Sequence, residues 1–291
     1  MADRDWHRLL PRIEHLLQLA DDWLSSQSED PARGAEEAWA YRWRNGRLEP
    51  IRHPDLYPLE GLIGVERSVE RLRANAAAFV DGAPALDVLL YGERGTGKSS
   101  ALRGLLRELA PKGLRLVEIQ RGDLLELPRI YGQLRERPER FALVCDDLSF
   151  EAGDDSYKTL KAALDGGLEA RPENVLIFAT SNRRHLMPEY ESENREARIS
   201  TDNELHPGET VEEKLSLSDR FGLLLPFFCF DQDTYLRIVE YHARELGMGW
   251  IDRDELRTRA LRFALERAGR SGRTARQACI AIAQELRGDG S

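Results

Sequence analysis

Residues 85–100 read ALDVLLYGERGTGKSS, in which Gly92, Gly97, Lys98 and Ser99 stand in the spacing Gly-x-x-x-x-Gly-Lys-Ser, that of a phosphate-binding P-loop. The chemistry explains the residue types. Glycines let successive backbone N–H groups fold into a concave nest around phosphate oxygens, which a Cβ would obstruct. The expected nucleotide cradle is therefore Gly92, Glu93, Arg94, Gly95, Thr96, Gly97, Lys98, Ser99 and Ser100. A helix starting there adds its unsatisfied N–H groups and positive dipole end. Lys98 is expected to reach the β- and γ-phosphates, and the Ser99 hydroxyl to ligate Mg²⁺. An ordinary glycine-rich turn is the plain alternative, and the apolar strand ahead of the loop weighs against it.

Four further stretches carry side chains suited to phosphate chemistry. FALVCDDLSF ends a hydrophobic run in Asp146 and Asp147. A carboxylate at such a strand end can hold Mg²⁺, and the next can orient or deprotonate the attacking water. Two acids there could also be a turn and a helix cap. NVLIFATSNRRHL ends another apolar run in Thr180, Ser181 and Asn182, and Asn182 is either suited to positioning water or a turn former. KLSLSDRFGLLLPF places Arg220 just before a final strand, as a finger for a neighbouring subunit's γ-phosphate or paired with Asp219 or another carboxylate at the surface. GRSGRTARQ opens the last helix with Arg273, with Arg276 one turn inside; a lid arginine there would couple lid position to phosphate state, unless both are solvated. Leu62, Ile63 and Gly64 form a short apolar turn some thirty residues before the P-loop, well placed to line an adenine pocket.

The elements that must position these groups follow from periodicity. Strand-like runs at 85–91, 114–119, 141–147, 174–182 and 223–230 alternate with helical patterns at 99–110, 128–137 and 155–168. Near-continuous apolar strands joined by helices indicate a parallel sheet covered on both faces, with ligands beyond the carboxyl ends of the strands. Upstream, residues 5–24 form an amphipathic helix pattern, which either packs on its own domain or docks on a partner. A polar linker at 25–35 follows it, and AYRWRNGRLEPI reads as a β-hairpin turning at Asn45-Gly46. A helix is expected to run to about residue 80. Downstream, Asp231 is a plausible cap for a helix over 234–246, and two more helices at 254–268 and 274–287 complete an all-helical lid. The expected division is 1–52 as an N-terminal helix and hairpin extension, 53–230 as an α/β nucleotide-binding core, and 231–291 as the lid.

Composition sets limits on the function. With 41% apolar and 32% charged residues the 291-residue chain suits a soluble globular protein, and its net charge of −9 argues against a whole-surface nucleic-acid binder. The three cysteines, Cys145, Cys229 and Cys279, are far apart in apolar contexts, so buried free thiols in a reducing compartment are expected. No membrane span or signal peptide is expected, and the address is cytoplasmic. Residues 188–213 hold nine acids against two arginines, whereas 253–287 hold nine arginines against four acids. The first reads as a polar insertion near the nucleotide face, functional or passive; the second could touch phosphate backbones or be a solvated helix face. In Ile130-Tyr131-Gly132, set in a helix-like frame, Ile130 and Tyr131 read as core.

The ordered set of P-loop, DD-ended strand, Asn-ended strand, Ser-Asp-Arg-Phe and helical lid with a Gly-Arg turn resembles the AAA+ ATPases over about residues 55–288. The resemblance implies a P-loop NTPase sheet of AAA+ type with Walker A at 92–100, Walker B at Asp146-Asp147, sensor 1 at Asn182, an arginine finger at Arg220 and sensor 2 at Arg273. CDDLSF is closer to the DD-type Walker B of bacterial replication initiators than to the usual Asp-Glu. More narrowly, RWRNGRLEP, LIGVER, GTGKSS, CDDLSFE, ATSNRRHL and EEKLSLSDRFGL are similar to the bacterial domain-of-unknown-function family 815. The implied activity is ATP hydrolysis with ATP and Mg²⁺, in a homo-oligomer whose arginine finger acts in trans. The implied partner is an unidentified macromolecule, a protein rather than a nucleic acid. A rival from another class is a nucleotide-gated binding module with little or no hydrolysis.

Overall fold

The computed structural model describes residues 38–150, 155–165, 171–182, 217–267 and 269–288. The helix expected over 5–24, the linker over 25–35 and the acidic stretch 188–213 lie outside these residues. The strands are β1 (Ala40–Arg44), β2 (Arg47–Ile51), β3 (Val88–Gly92), β4 (Leu114–Ile119), β5 (Arg140–Cys145), β6 (Val175–Ser181) and β7 (Leu223–Phe227). Among the described residues they form one sheet in the order β2-β1-β4-β5-β6-β3-β7. Every neighbouring pair is parallel except β1 with β2.

The hairpin forms as its sequence predicts. Arg44 stands opposite Arg47, and Asn45 and Gly46 take φ of +52° and +74°, the signs a type I′ turn requires. Its place in the molecule was not legible from the local pattern. β1 pairs in parallel with β4, Ala40 opposite Leu116, so the segment read as part of an extension supplies two strands to the main sheet. Tyr41 and Trp43 are buried with the residues of one sheet face, while Arg42 points outward to a salt bridge with Glu118.

The helices are α1 (Glu66–Val80), α2 (Lys98–Leu109), α3 (Leu127–Leu134), α4 (Asp155–Asp165), α5 (Gln232–Glu245), α6 (Arg253–Glu266) and α7 (Gly272–Gly288). They divide between the two faces that strand alternation creates. Val88 and Leu90 of β3 and Leu176 and Phe178 of β6 join the cluster that contains the apolar faces of α1 and α2. Leu89, Val175, Ile177 and Ala179 point the other way, into the cluster of α3 and α4. Each fully buried leucine or phenylalanine contributes roughly 2–3 kcal/mol, so both faces hold the carboxyl ends of the strands in place. Ile130 and Tyr131 of α3 are buried in the second cluster, so these two residues are core as expected.

The three C-terminal helices share the first cluster through Tyr235, Val239, Ala260 and Ala275. Two of them start on aspartate caps. Asp231 accepts from Thr234 N at 2.8 Å, and Asp252 accepts from the Asp254 and Glu255 amides. The lid's basic face is partly neutralised from within: Arg253 and Arg257 both bind Glu240, and Arg259 lies between Glu255 and Glu285. No helix among the described residues is long and apolar enough to cross a membrane.

The cysteine expectation needs one correction. Cys145 and Cys279 are buried, but Cys229 is exposed. The sheet ends at Phe227, and the chain leaves it through exposed Phe228 and Cys229 before re-entering the core at Phe230.

Candidate functional site

The P-loop lies where the strand order reverses. β3 runs between β6 and β7, while the chain leaving it crosses to β4, two strands beyond β6. Such a switch point opens a crevice at the carboxyl ends of the strands. Gly92 closes β3 with φ +136°, and a Cβ there would stand 1.9 Å from the Phe227 carbonyl oxygen. That oxygen accepts the Glu93 N–H at 3.0 Å, so only glycine lets β7 lie this close. Gly97, with φ +106°, begins α2 and is covered by the Leu62 side chain.

Lys98 is buried in the first turn of α2 and donates to the Gly92 carbonyl at 2.9 Å and the Glu93 carbonyl at 2.7 Å. Its third donation goes to Asn182 Oδ1 at 3.1 Å. Burial is the main force pushing the ammonium below its ordinary pKa; Asp146 and Asp147 oppose it, and the charges of Arg94 and Arg273 reinforce it. Ser99 Oγ lies 2.8 and 2.9 Å from the two carboxylate oxygens of Asp146. Asn182 Nδ2 donates to Asp147 Oδ1. The amide of Asn182 therefore bridges the P-loop lysine and the second acid.

The remaining predicted positions divide. Thr96 Oγ1 donates to the Glu93 carbonyl at 2.8 Å, and Ser100 Oγ accepts from Arg103. The Cys229 thiol hydrogen-bonds the Glu93 carboxylate, which raises its pKa. Leu62 and Gly64 wedge between the P-loop and the lid, since a Cβ at Gly64 would meet Thr234 and the Phe230 ring; Ile63 packs partly buried beside them. The Arg273 N–H donates to the Gly95 carbonyl at 3.3 Å, seating the start of α7 directly on the loop. The Arg220 guanidinium pairs with Asp165 at the end of α4, a carboxylate partner of the kind its surface reading allows.

One residue of the site escaped the sequence reading. Thr180, only 1% exposed, donates to Asp146 and accepts from Asp147 N at 3.0 Å. The available signal was period two: Thr180 lies on the same strand face as Asn182 in an otherwise apolar run.

The residues present fit a Mg²⁺-nucleotide. Ser99 and Asp146 offer hard oxygen donors, of the kind that cation takes together with phosphate and water. Among the described residues no group of three or more His, Cys, Asp or Glu could hold a metal ion. Cβ atoms at Gly92, Gly95 and Gly97 would meet Phe227, Ser271 and Leu62, so the glycines let these neighbours close on the loop.

No curated protein matches the chain. Among solved structures, the AAA domain of FIGL-1 in complex with ADP aligns at 18% identity and TM-score 0.50, covering 78% of this chain and 73% of that one. The Aeropyrum pernix ORC1 protein in complex with DNA aligns at 16% identity and TM-score 0.52, covering 81% and 66%. The Thermotoga maritima RuvB Holliday junction branch migration motor aligns at 15% identity and TM-score 0.43, covering 77% and 71%. The fold is thus of the AAA+ P-loop type. The model of the family described as "Protein of unknown function (DUF815)" matches residues 36–286, and the chain belongs to that family.

Proposed function

We propose that the chain is an ATP-dependent remodelling motor or switch that binds ATP with Mg²⁺ at residues 92–100 and hydrolyses it at a site shared between subunits. One observation carries this reading. Ser99, Asp146, Asp147, Asn182 and Lys98, drawn from two strand ends and one helix, meet in a connected set of hydrogen bonds at the carboxyl edge of the sheet. The FIGL-1 domain of the same fold holds ADP, which supports a nucleotide here.

In this reading the backbone nest and the Lys98 ammonium hold the β- and γ-phosphates. Lys98 would exchange main-chain carbonyls for phosphate oxygens, which are stronger charge-assisted acceptors. Mg²⁺, held by Ser99 and Asp146, supplies charge neutralisation on the phosphates. Asp147 accepts a proton from the attacking water or orients it, with Asn182 fixing the carboxylate, and Arg273 brings positive charge from the lid. Arg220 completes the site of an adjacent subunit after leaving Asp165, which makes the working form a homo-oligomer. The adenine lies against Leu62, Ile63 and Gly64. A protein is favoured over a nucleic acid as the remodelled partner, because several lid arginines already bind acids of the lid.

Steady-state ATP turnover of the wild-type chain against Asp147→Asn tests the proposal. The expected result is measurable wild-type turnover that falls by about two orders of magnitude or more in the variant while ATP still binds. Equal, near-zero turnover in both would refute hydrolysis and favour a nucleotide-gated binding module.

A further inference from the structure

Asp146 and Asp147 must be held on different partners: one carboxylate faces Ser99, the other faces Asn182. Consecutive residues leaving a strand point to opposite sides, but both acids lie past the last residue of β5, Cys145. Pleating no longer fixes their directions there, so something outside β5 must do it.

Thr180 on the adjacent strand β6 touches both. Its hydroxyl has one hydrogen, and that hydrogen goes to Asp146 Oδ1. An oxygen lone pair then accepts the Asp147 N–H at 3.0 Å. The Thr180 carbonyl separately accepts the Leu148 N–H at 2.7 Å. Asp147 adopts φ +54°, a left-handed conformation that residues with a Cβ visit rarely and keep only where their surroundings over-determine it. Thr180 itself is 1% exposed, while both aspartates it bonds are exposed.

We propose that Thr180 is a positioning residue for both acids. Its hydrogen holds the metal-side carboxylate against Ser99, and its lone pair locks the left-handed turn that presents the second carboxylate to Asn182. One hydroxyl thus couples the metal-holding acid to the water-orienting acid. What the two acids do rests on the ATPase reading; how they are held does not.

Two measurements on Thr180→Val and Thr180→Ser test this. Valine keeps the shape and loses both the donor and the acceptor, whereas serine keeps both. Amide exchange followed by NMR should show the Asp147 N–H exchanging at least about tenfold faster in Thr180→Val. The Leu148 N–H, whose acceptor is the main-chain carbonyl, should change far less, and serine should restore Asp147. In parallel, the Mg²⁺ concentration at which a fluorescent ATP analogue tightens its binding should rise about tenfold in Thr180→Val. Affinity in chelator should stay level, and serine should restore the midpoint.

Wild-type exchange at Asp147 in Thr180→Val would overturn the proposal, as would an unchanged Mg²⁺ midpoint. Uniformly faster exchange along β5 and β6 would also overturn it, by reducing Thr180 to a packing role. A wild-type chain that binds no nucleotide would instead refute the ATPase reading, and the Asp147 exchange rate would then decide the positioning role alone.

Discussion

Acid should loosen this protein through one buried histidine. His242 lies in α5, 7% exposed, with its ring against Tyr241 at 5.5 Å between centroids. Burial, helped by the positive charge of Arg276, pulls its pKa from the ordinary 6.5 down to about 4. The unfolded chain therefore takes up this proton near pH 6.5 and the folded chain only near pH 4. With the folded pKa depressed, the neutral ring's contribution is fully present above 6.5 and is lost as the pH falls through 4. The gap corresponds to roughly 3 kcal/mol in full, of which about 2 kcal/mol is lost by about pH 5. Urea unfolding of the wild type and of His242→Gln, at about pH 7.5 and about pH 5, measures it. Carboxylates such as Glu139 and Glu240, whose pKa values are lowered, destabilise both proteins alike on acidification. The wild type should therefore lose about 2 kcal/mol more than the variant between the two pH values. Losses equal to within about 0.5 kcal/mol would refute the reasoning and place the folded-state pKa near its ordinary value.

Three further outcomes are expected. Gly92→Ala would drive a Cβ into the Phe227 carbonyl; it should cost about 3 kcal/mol or more in thermal unfolding and abolish ATP binding in calorimetric titration. Arg220→Ala should leave ATP affinity unchanged and cut turnover by about 10³ if the finger acts on a neighbour, with the wild-type rate per chain rising with protein concentration; unchanged turnover would remove the finger. Tyr131→Phe should raise stability by about 1 kcal/mol in denaturant unfolding, because the buried Tyr131 hydroxyl finds no hydrogen-bond partner among the described residues; a loss of that size would mean the hydroxyl is satisfied.

Much of the fold was legible because its signals are local. Glycine spacing, the Asn45-Gly46 turn, runs of apolar strand residues and aspartate caps act within a few residues of themselves, and the β-hairpin, α1, β4 and the Asp231 cap all stand close to where their sequences predict. Element ends were less legible: the strand read to Phe230 stops at Phe227, where Phe228 and Cys229 turn to solvent. The order of strands was not legible either. Nothing in AYRWR says that it will pair with β4 rather than stand apart, since its apolar alternation would suit any edge.

At the candidate site the same division holds. By itself the sequence determined which chemistry is available: Gly92 to Ser99 can form a phosphate nest, Asp146 and Asp147 follow one apolar run, and Asn182 follows another. Those are statements about residue type and spacing, which short-range sterics settle. Only the tertiary structure decided who meets whom. Parallel pairing of β5 with β6, and of β6 with β3, brings Thr180 beneath the two acids and Asn182 between Lys98 and Asp147. It also sets Arg220 against Asp165, fifty-five positions earlier in the chain. Contacts between residues more than thirty positions apart depend on strand order and register, and those are set by the packing of the two apolar faces as a whole.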